Sequence, residues 1–272
     1  MSLSQATVVL TRPEGKNESL QRQFEDAGLA VVVVPALTLR RKPFSEPVPS
    51  LAAYDLIFFV SGYAADCFFD LLDEQNVRWP AQLQAGCVGP GTAKTLQARG
   101  VPERDILSPA AGQPRDAGGL VATLKDKGVF ASLQSVLIVC GTTGSGWFAE
   151  QLQAASVAVT RLPLYTRQAR PWSEQEQRQM AFLLREAGAG PLYVVLTSPQ
   201  GVQSFVRNAA DAGWCPAQAA RAITFVITHP GQQERLIEGW QHTFSGCDPA
   251  ALRIVQASPE DAAIFQAVTK SD

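Results

Sequence analysis

Tyr165 is the first candidate for chemistry in this sequence, because an internal repeat of the chain has a leucine in its place. The chain superposes on itself without a gap when residues 8–38 are set against residues 136–166, and Leu37 then falls opposite Tyr165. A phenol can donate a hydrogen bond to a departing oxygen while it stays uncharged at neutral pH. We therefore expect Tyr165 to be catalytic. The alternative is a core tyrosine whose hydroxyl is satisfied within the fold.

A second group of candidates lies in the turns between predicted strands and helices, where serine, threonine and glycine recur. These turns are Thr11-Arg12-Pro13, Ser61-Gly62, Gly89-Pro90-Gly91-Thr92, Cys140-Gly141-Thr142, Ser198-Pro199 and Thr228 to Gln232. Ligands of doubly wound sheets bind outside the carboxyl ends of the strands, and free N–H groups at helix N-termini attract anions. The turns therefore suit a polyanionic ligand, although each one alone could be an ordinary helix cap. Their recurrence in both halves of the chain favours a shared cleft.

Other chemistries lack their signatures. The glycines of residues 140–146 do not have the spacing of a dinucleotide fingerprint, and residues 89–95 are not a phosphate-binding loop. No Ser-His-Asp grouping is readable. We expect His229, which lies at a turn, to be solvated, and Cys140, which follows a buried strand, to be inert. Three basic residues at or just beyond turns could meet carboxylates or remain solvated: Arg12, Lys94 and Arg167.

The elements that would position these residues indicate an α/β fold. Buried runs of Val, Ile and Phe alternate with amphipathic helical patterns, as in parallel sheets flanked by helices. Residues 30–37 are typical of one continuous strand, and residues 38–49, with three prolines, are typical of a connector. A helix is predicted from Ser173 to about Ala187, with Ser173 and Glu176 forming its N-terminal cap.

The repeat extends beyond its first segments, so that the whole chain is an internal duplication of residues 6–128 in residues 134–268. A tandem of two lobes fits this periodicity. The length of 272 residues also suggests about two domains. We therefore expect a protein of two similar lobes.

The composition narrows the class of protein. The chain has 46% hydrophobic and 18% charged residues with a net charge of −2, which disfavours nucleic acid as a partner. The sequence shows neither a secretion signal nor a run of about 18 apolar residues, so we expect a cytoplasmic protein without a membrane partner. Five cysteines without a C-x-x-C pair and two histidines predict neither a metal site nor a disulfide framework.

The order of short motifs resembles that of the uroporphyrinogen-III synthase family over essentially the whole chain. The motifs are LTRP at 10–13, a Phe-x-Ser turn at 59–61, VGPGTAKTLQARG at 88–100, a Leu-x-x-Tyr strand at 162–165, LTSPQGVQSF at 196–205 and a closing Ser-Pro-Glu helix. The resemblance implies an α/β protein of two similar lobes, with parallel sheets flanked by helices and joined by two extended β connections. It also implies a discontinuous first domain, residues 1–37 plus 171–272, and a second domain, residues 39–165.

The resemblance further implies a lyase that cyclises the linear tetrapyrrole hydroxymethylbilane to uroporphyrinogen III. The last ring, ring D, would be inverted and water lost, in a cleft between the lobes and without a cofactor or metal. Tyr165 would assist departure of the terminal hydroxyl. Substrate would be bound at these turn residues: Thr11, Arg12, Ser61, Gly62, Thr92, Gly141, Thr142 and Ser198.

The chain departs from the family at one turn, where many relatives have Gly-x-x-Thr-Ala and this sequence has Thr228 to Gln233. Backbone donors at Gly231 and Gln232 are expected to bind substrate there instead. The resemblance also implies an enzyme of haem biosynthesis that acts as a monomer and contacts the preceding deaminase transiently.

Two other functions compete with this one. A non-enzymatic two-lobed module that binds a small anion, or regulates through it, would show the same duplication and hinge. A nucleotide-sugar transferase of similar build needs a carboxylate pair for metal and diphosphate, and the sequence offers no convincing pair.

Overall fold

The computed structural model describes residues 6–144, 146–185, 190–213, 223–244 and 248–270. The strands are β1 (Thr7–Leu10), β2 (Ala30–Val33), β3 (Leu37–Arg41), β4 (Leu56–Phe59), β5 (Gln84–Gly86), β6 (Ile106–Leu107), β7 (Ser135–Gly141), β8 (Ala158–Ala169), β9 (Leu192–Leu196), β10 (Ile223–Ile227) and β11 (Arg253–Gln256). The helices are α1 (Glu18–Asp26), α2 (Gly62–Glu74), α3 (Pro90–Ala98), α4 (Ala117–Asp126), α5 (Trp147–Ala154), α6 (Glu174–Arg185), α7 (Pro199–Asp211), α8 (Pro230–Thr243) and α9 (Asp261–Thr269). The predicted α/β class is confirmed. Among these helices, none combines the length and the apolar character needed to span a membrane.

The chain divides into two compact units, one made of Met1–Leu39 with Gln168–Asp272 and the other of Arg40–Arg167. One sheet has five strands in the order β11-β10-β9-β1-β2, and the other has six in the order β3-β8-β7-β4-β5-β6. Strand β1 of the first repeat thus pairs with β9 of the second, while β7 and β8 of the second repeat pair with β4 and β3 of the first. A simple tandem of the two repeats is not the arrangement that the sheets adopt.

In the five-stranded sheet all the described pairs are parallel, and helices bury both faces. Side chains alternate between the faces of a strand. Val9 and Val194 therefore lie in one core, with α7 and α8, whereas Val8 and Val195 lie in another, with α1 and α9. The edge strand β2 is only half-buried, although its apolar run predicts burial on both faces. An edge strand has a neighbour on one side only, which explains the difference.

The six-stranded sheet carries the second set of turns. Strands β4, β5, β6, β7 and β8 pair in parallel, so their carboxyl ends share one edge of the sheet. Leu56, Phe58 and Ile138 pack on one face against Leu120 of α4 and Phe148 of α5. The opposite face packs on α2 through an aromatic cluster that includes Phe59 and Phe68.

The prediction of one strand over residues 30–37 is wrong, because β2 ends at Val33 and β3 begins at Leu37. Pro35 interrupts the run, since it has no N–H to donate to a sheet ladder. The N–H groups of Val34 and Ala36 instead bond the carbonyls of Leu10 and Thr11, just beyond the pairing of β1 with β2. The first residues of the predicted connector therefore form β3, at the edge of the other sheet.

Helix α6 begins with the predicted cap. The N–H of Glu176 donates to Ser173 Oγ at 3.3 Å, and the N–H of Ser173 donates to the Glu176 carboxylate at 2.7 Å. Arg170 binds the same carboxylate through two nitrogens, each at 3.0 Å. The helix is described as far as Arg185. Its end, predicted near Ala187, lies outside the described residues. The capping box is thus confirmed and is reinforced by an ion pair.

The Glu176 carboxylate should make stability depend on pH. Burial raises its pKa, but the hydrogen bonds from Arg170 and Ser173 outweigh burial and leave the pKa below its ordinary value. A carboxyl with a lowered folded-state pKa stabilises the fold above its unfolded pKa, and that stabilisation is lost as the pH falls through the lowered value. We expect Glu176→Gln to reduce the free energy of unfolding by about 1 kcal/mol at pH 7, and by progressively less below pH 4.5.

Urea unfolding at several pH values measures this effect. Glu174→Gln on the same helix is the matched control, because Glu174 is 89% exposed and pairs only at 3.4 Å with Arg178, which is itself 73% exposed. An equal loss of stability at pH 7 and pH 3 in Glu176→Gln would contradict the assignment.

Candidate functional site

Tyr165 lies near the end of β8 with its hydroxyl between two polar side chains. The hydroxyl is 3.3 Å from Ser61 Oγ and accepts a hydrogen bond from Arg167 Nη2 at 3.4 Å. The Arg167 guanidinium carbon is also 5.9 Å from the centre of the ring. Only 1% of the tyrosine is exposed. The contact with Ser61 exceeds the usual 2.7–2.8 Å of O–H···O bonds, and the bond from Arg167 exceeds the usual 2.9–3.0 Å of N–H···O bonds, so the hydroxyl can still form a shorter bond to another oxygen.

The ring of Tyr165 packs directly on Gly141 at the end of β7. A register shift in the pairing of β7 with β8 sets Cys140 opposite Pro163 but Gly141 opposite Tyr165, so that Leu164 is the extra residue of a bulge. A Cβ at position 141 would lie 3.0 Å from Cε2 and Cζ of the tyrosine ring. Any side chain at position 141 would therefore have to displace the ring by a few tenths of an ångström.

Tyr63 completes the surroundings of Tyr165. The two rings meet edge to face, with centres 5.1 Å apart. Burial raises the pKa of Tyr63, and its hydrogen bond with Cys67 adds to this effect. Burial likewise raises the pKa of the Cys67 thiol. Both groups are therefore neutral at physiological pH, and Arg167 supplies the positive charge beside the Tyr165 hydroxyl.

The other predicted site residues of the six-stranded sheet gather at the same carboxyl edge. Ser61 caps α2, where its Oγ accepts from the N–H of Ala64 at 3.2 Å, and Gly62 begins that helix. Thr92 is buried in the first turn of α3. Thr142 is exposed after β7, and its N–H donates to the Tyr165 carbonyl at 2.9 Å. Tyr165 is thereby in direct contact with Ser61, Gly141 and Thr142.

The predicted residues of the five-stranded sheet lie at the carboxyl edge of that sheet and are engaged within their own unit. The Thr11 hydroxyl is buried and donates to the Val195 carbonyl at 2.7 Å. Arg12 forms an ion pair with Asp261 at 2.6 Å and bonds a neighbouring backbone carbonyl. Ser198 caps α7 by accepting from the N–H of Gly201 at 3.1 Å. The ordinary structural role of each residue is thus visible in its contacts.

The turn before α8 uses its donors internally. The N–H of Gly231 donates to Nδ1 of His229 at 3.0 Å, so the histidine caps the helix. His229 is also exposed, as expected from its position at a turn. The N–H of Gln232 donates to the His229 carbonyl at 2.9 Å, and its buried side chain bonds Thr228. Both backbone donors expected to bind substrate are therefore bonded within the turn.

A cavity of about 350 Å³ lies beside the Tyr165 network, and sequence reasoning did not find it. Arg115, Arg161 and Arg167 line it together with an apolar floor. Of these, only Arg167 was noted from the sequence. Arg115 stands in a Gly/Pro-rich loop and Arg161 in an exposed part of β8, where a solvated charge is the ordinary expectation. Their convergence depends on sheet order, which the sequence pattern did not reveal.

Metal ligands and cysteine thiols are the remaining groups that could carry chemistry. Within the residues that the structure describes, no group of three His, Cys, Asp or Glu side chains is placed to hold a metal ion. Cys67, Cys87 and Cys140 are free and buried, and burial raises the pKa of Cys87 to about 11. Cys215 and Cys247 lie outside the described residues.

The fold and the site define a class of protein: an α/β protein of two mostly parallel sheets whose strand-to-helix turns carry the polar residues. Two solved structures share this fold. A uroporphyrinogen-III synthetase from Helicobacter pylori has a TM-score of 0.57 at 13% identity, covering 98% of this chain and 100% of that one. A mutant uroporphyrinogen III synthase from Thermus thermophilus has a TM-score of 0.53 at 11% identity, covering 97% of this chain and 98% of that one.

The family is decided by sequence. The model of the family described as uroporphyrinogen-III synthase HemD matches residues 18–243, which is most of the chain. The protein therefore belongs to the uroporphyrinogen-III synthase family, whose members are enzymes of haem biosynthesis. The non-enzymatic binding module considered above is not favoured.

The packing of Tyr165 on Gly141 can be tested by adding one methyl group. Gly141→Ala should lower the free energy of unfolding by about 1 to 3 kcal/mol, as overpacking of a filled site does. Gly91→Ala is the matched control, because Gly91 lies within the first turn of α3 with open space around a built Cβ, and alanine favours a helix. Urea unfolding compares the two variants. Equal stability of both variants and the unmodified protein would show that the ring does not depend on the glycine.

Proposed function

We propose that this synthase acts as a cyclising hydro-lyase on hydroxymethylbilane, with Tyr165 assisting loss of the terminal hydroxyl. The C–O bond of the hydroxymethyl group breaks, the hydroxyl takes a proton and leaves as water, and the adjacent pyrrole nitrogen supplies the electron pair. The last ring attacks the resulting azafulvene through its substituted carbon. In the spiro intermediate the bond between ring D and the methylene of ring C breaks, which leaves a second azafulvene on ring C. The free α-carbon of ring D attacks that methylene, so that ring D is inverted, and loss of the proton from this carbon gives uroporphyrinogen III.

The placement of the Tyr165 hydroxyl is the observation that supports this role. Arg167 donates to the phenol oxygen, so the phenol proton is directed away from the guanidinium. The hydrogen bonds at 3.3 and 3.4 Å are long, and catalytic hydrogen bonds often are so before substrate binds and tighten in the complex. The phenol is therefore held in place while its proton remains available to a departing oxygen.

Ser61 extends the proton path. Its Oγ accepts from the N–H of Ala64 and lies 3.3 Å from the Tyr165 hydroxyl. A serine oxygen can accept one further bond while its own O–H donates. Ser61 is half-buried, whereas Tyr165 is almost fully buried. In our proposal Ser61 relays the proton. Its hydroxyl donates a proton to the leaving hydroxyl group and receives the proton of Tyr165 in return.

The remaining turn residues are proposed to bind the acidic side chains of the substrate. The exposed Thr142 and the first turns of α2 and α3 offer hydroxyl and N–H donors at one sheet edge. Helix N-termini of this kind stabilise a nearby negative charge by about 0.3 to 1 kcal/mol each. The residues Thr11, Arg12, Ser198, Gly231 and Gln232 are engaged in their own turns, so their part would be to shape those turns.

The experiment is to supply freshly generated hydroxymethylbilane and separate the oxidised isomers by chromatography. We expect predominantly isomer III from the unmodified protein. Tyr165→Phe should retain the fold and slow formation of isomer III about 100-fold, the lower end of the usual effect of a general acid. Isomer I alone, formed with a well-folded protein, would refute the reaction. Unchanged turnover of Tyr165→Phe would make the tyrosine a packing residue.

The same assay tests Ser61. Ser61→Ala removes the hydroxyl and the helix cap together, and should reduce both turnover and stability. Ser61→Thr keeps the hydroxyl and a good cap, so we expect it to restore most of both properties. If Ser61→Ala lost about 1 kcal/mol of stability but kept full turnover, its hydroxyl would have no part in proton transfer.

A further inference from the structure

The cavity beside Tyr165 combines features that suit one kind of ligand. It lies wholly within residues 58–167, and three of its lining residues are arginines, Arg115, Arg161 and Arg167. Arg167 connects the cavity to the candidate catalytic group, because it also donates to the Tyr165 hydroxyl. A molecule bound in the cavity would therefore lie within reach of the hydroxyl network.

The floor of the cavity is apolar and partly aromatic. Phe58 at the end of β4, Ile138 of β7 and Phe148 of α5 form it, and they belong to the core of this unit. The two phenylalanine rings lie 4.4 Å apart between centres, tilted by 47°. Small-molecule sites are typically lined by such surfaces with a few polar groups that fix orientation. The floor thus offers a surface for a flat heterocycle.

The charge at the rim is positive. Among the described lining residues Asp116 is the carboxylate, and its oxygen already accepts from the N–H of Gly119 at 2.9 Å as the cap of α4. Arg115 and Arg161 are exposed at the rim, and Arg167 is half-buried. A guanidinium binds a carboxylate through two parallel N–H donors. Three arginines facing one carboxylate favour a ligand with at least two negative charges.

The backbone holds the rim in place. Gly119 approaches the carbonyl of Pro114 so closely that any Cβ at position 119 would collide with it. This contact fixes the chain on either side of Arg115 against the first turn of α4. A rim arginine in this position is held by the fold, although it stands in a Gly/Pro-rich loop.

We propose that this cavity is a subsite for one pyrrole ring of the linear tetrapyrrole, a proposal that rests on the proposed function. The ring lies on Phe58 and Phe148, and its carboxylate side chains bind Arg115 and Arg161. The volume of about 350 Å³ is at the lower end of the range for small-molecule sites, about 300–1,000 Å³, and so suits one ring of the four. Arg167 then lies between the bound ring and the Tyr165 hydroxyl.

Direct binding of a small probe tests the subsite without reference to turnover. The probe is a monopyrrole with two carboxyl side chains, titrated calorimetrically into the full chain, and its dimethyl ester is the uncharged counterpart. Arg115→Gln and Arg161→Gln should each raise the dissociation constant about tenfold, the effect of losing one charge-assisted hydrogen bond. The ester should bind more weakly than the acid to the unmodified protein, and this difference should shrink in each variant, since one of the two carboxylate-binding arginines remains.

Two further variants control for charge and for space. Arg104→Gln removes an equal charge from the same unit at a side chain that is 82% exposed, and should leave binding unchanged. Ala117→Leu fills the cavity from the first residue of α4 and should abolish binding of the probe. Leucine is nearly as good a helix former as alanine, so the fold should be retained, as circular dichroism can check.

Turnover separates this proposal from the reaction itself. In the isomer assay, Arg161→Gln should raise KM about tenfold with kcat changed less than about twofold, as loss of uniform binding does. Failure of the unmodified protein to bind the probe, or equal binding of acid and ester, would overturn the subsite while leaving the synthase reaction intact. Probe binding by a protein that forms no isomer III would overturn the reaction and leave a pyrrole dicarboxylate site.

Discussion

The packing of the Tyr165 ring on Gly141 is the constraint on which the candidate site depends. A parallel ladder in perfect register would set Leu164 opposite Gly141, but the extra residue in β8 moves Tyr165 into that place. Bulges of this kind commonly re-aim side chains beside active sites. The missing Cβ of Gly141 then admits the ring, and the carbonyl of the same tyrosine accepts from the N–H of Thr142. The turn after β7 and the phenol are thereby held as one piece.

The electrostatics around the phenol follow from this placement. Tyr63 and Cys67 stay neutral because burial raises the pKa of each, so the Arg167 guanidinium is the charged group in contact with the hydroxyl. The interaction energy between two charges is larger in a partly buried place than in open water, because the effective dielectric constant is lower. A cationic site that touches a neutral proton donor suits a polyanionic substrate whose leaving group is a hydroxyl. The arginines that line the cavity place further positive charge beside this network.

The two sheets use similar turns differently. Ser61 and Ser198 occupy matching positions of the repeat, and both cap a helix through their side-chain oxygen. Only Ser61 also contacts a tyrosine. This tyrosine, Tyr165, belongs to the second copy of the repeat, and the first copy has Leu37 in its place. In the other sheet, Thr11 bonds a strand carbonyl and Arg12 bonds Asp261. A duplicated scaffold has therefore kept its capping chemistry in both copies, while the phenol network is found around one of them.

The sequence by itself determined the class of fold, the start of α6 and the identity of the family, because these depend on local patterns. Apolar runs of strand length, the Ser173 and Glu176 cap, and the ordered motifs around Ser61 and Tyr165 are all properties of neighbouring residues. It also singled out Tyr165, through comparison of the two repeats. The break at Pro35 was in principle readable, but the apolar run around it outweighed the proline in the prediction.

Tertiary structure alone decided which strands share a sheet and which side chains meet. Periodicity is the same for tandem and exchanged repeats, so the pairing of β1 with β9 and of β4 with β7 could not be derived from it. The bulge beside Gly141 depends on the register of two strands, and the presence of Arg115 and Arg161 around one cavity depends on where the loop before α4 lies relative to β8. Contacts between residues far apart in the chain arise from packing that no local pattern encodes. For that reason the sequence pointed to the tyrosine, and only the fold placed it between Ser61 and Arg167 beside a cavity lined with arginines.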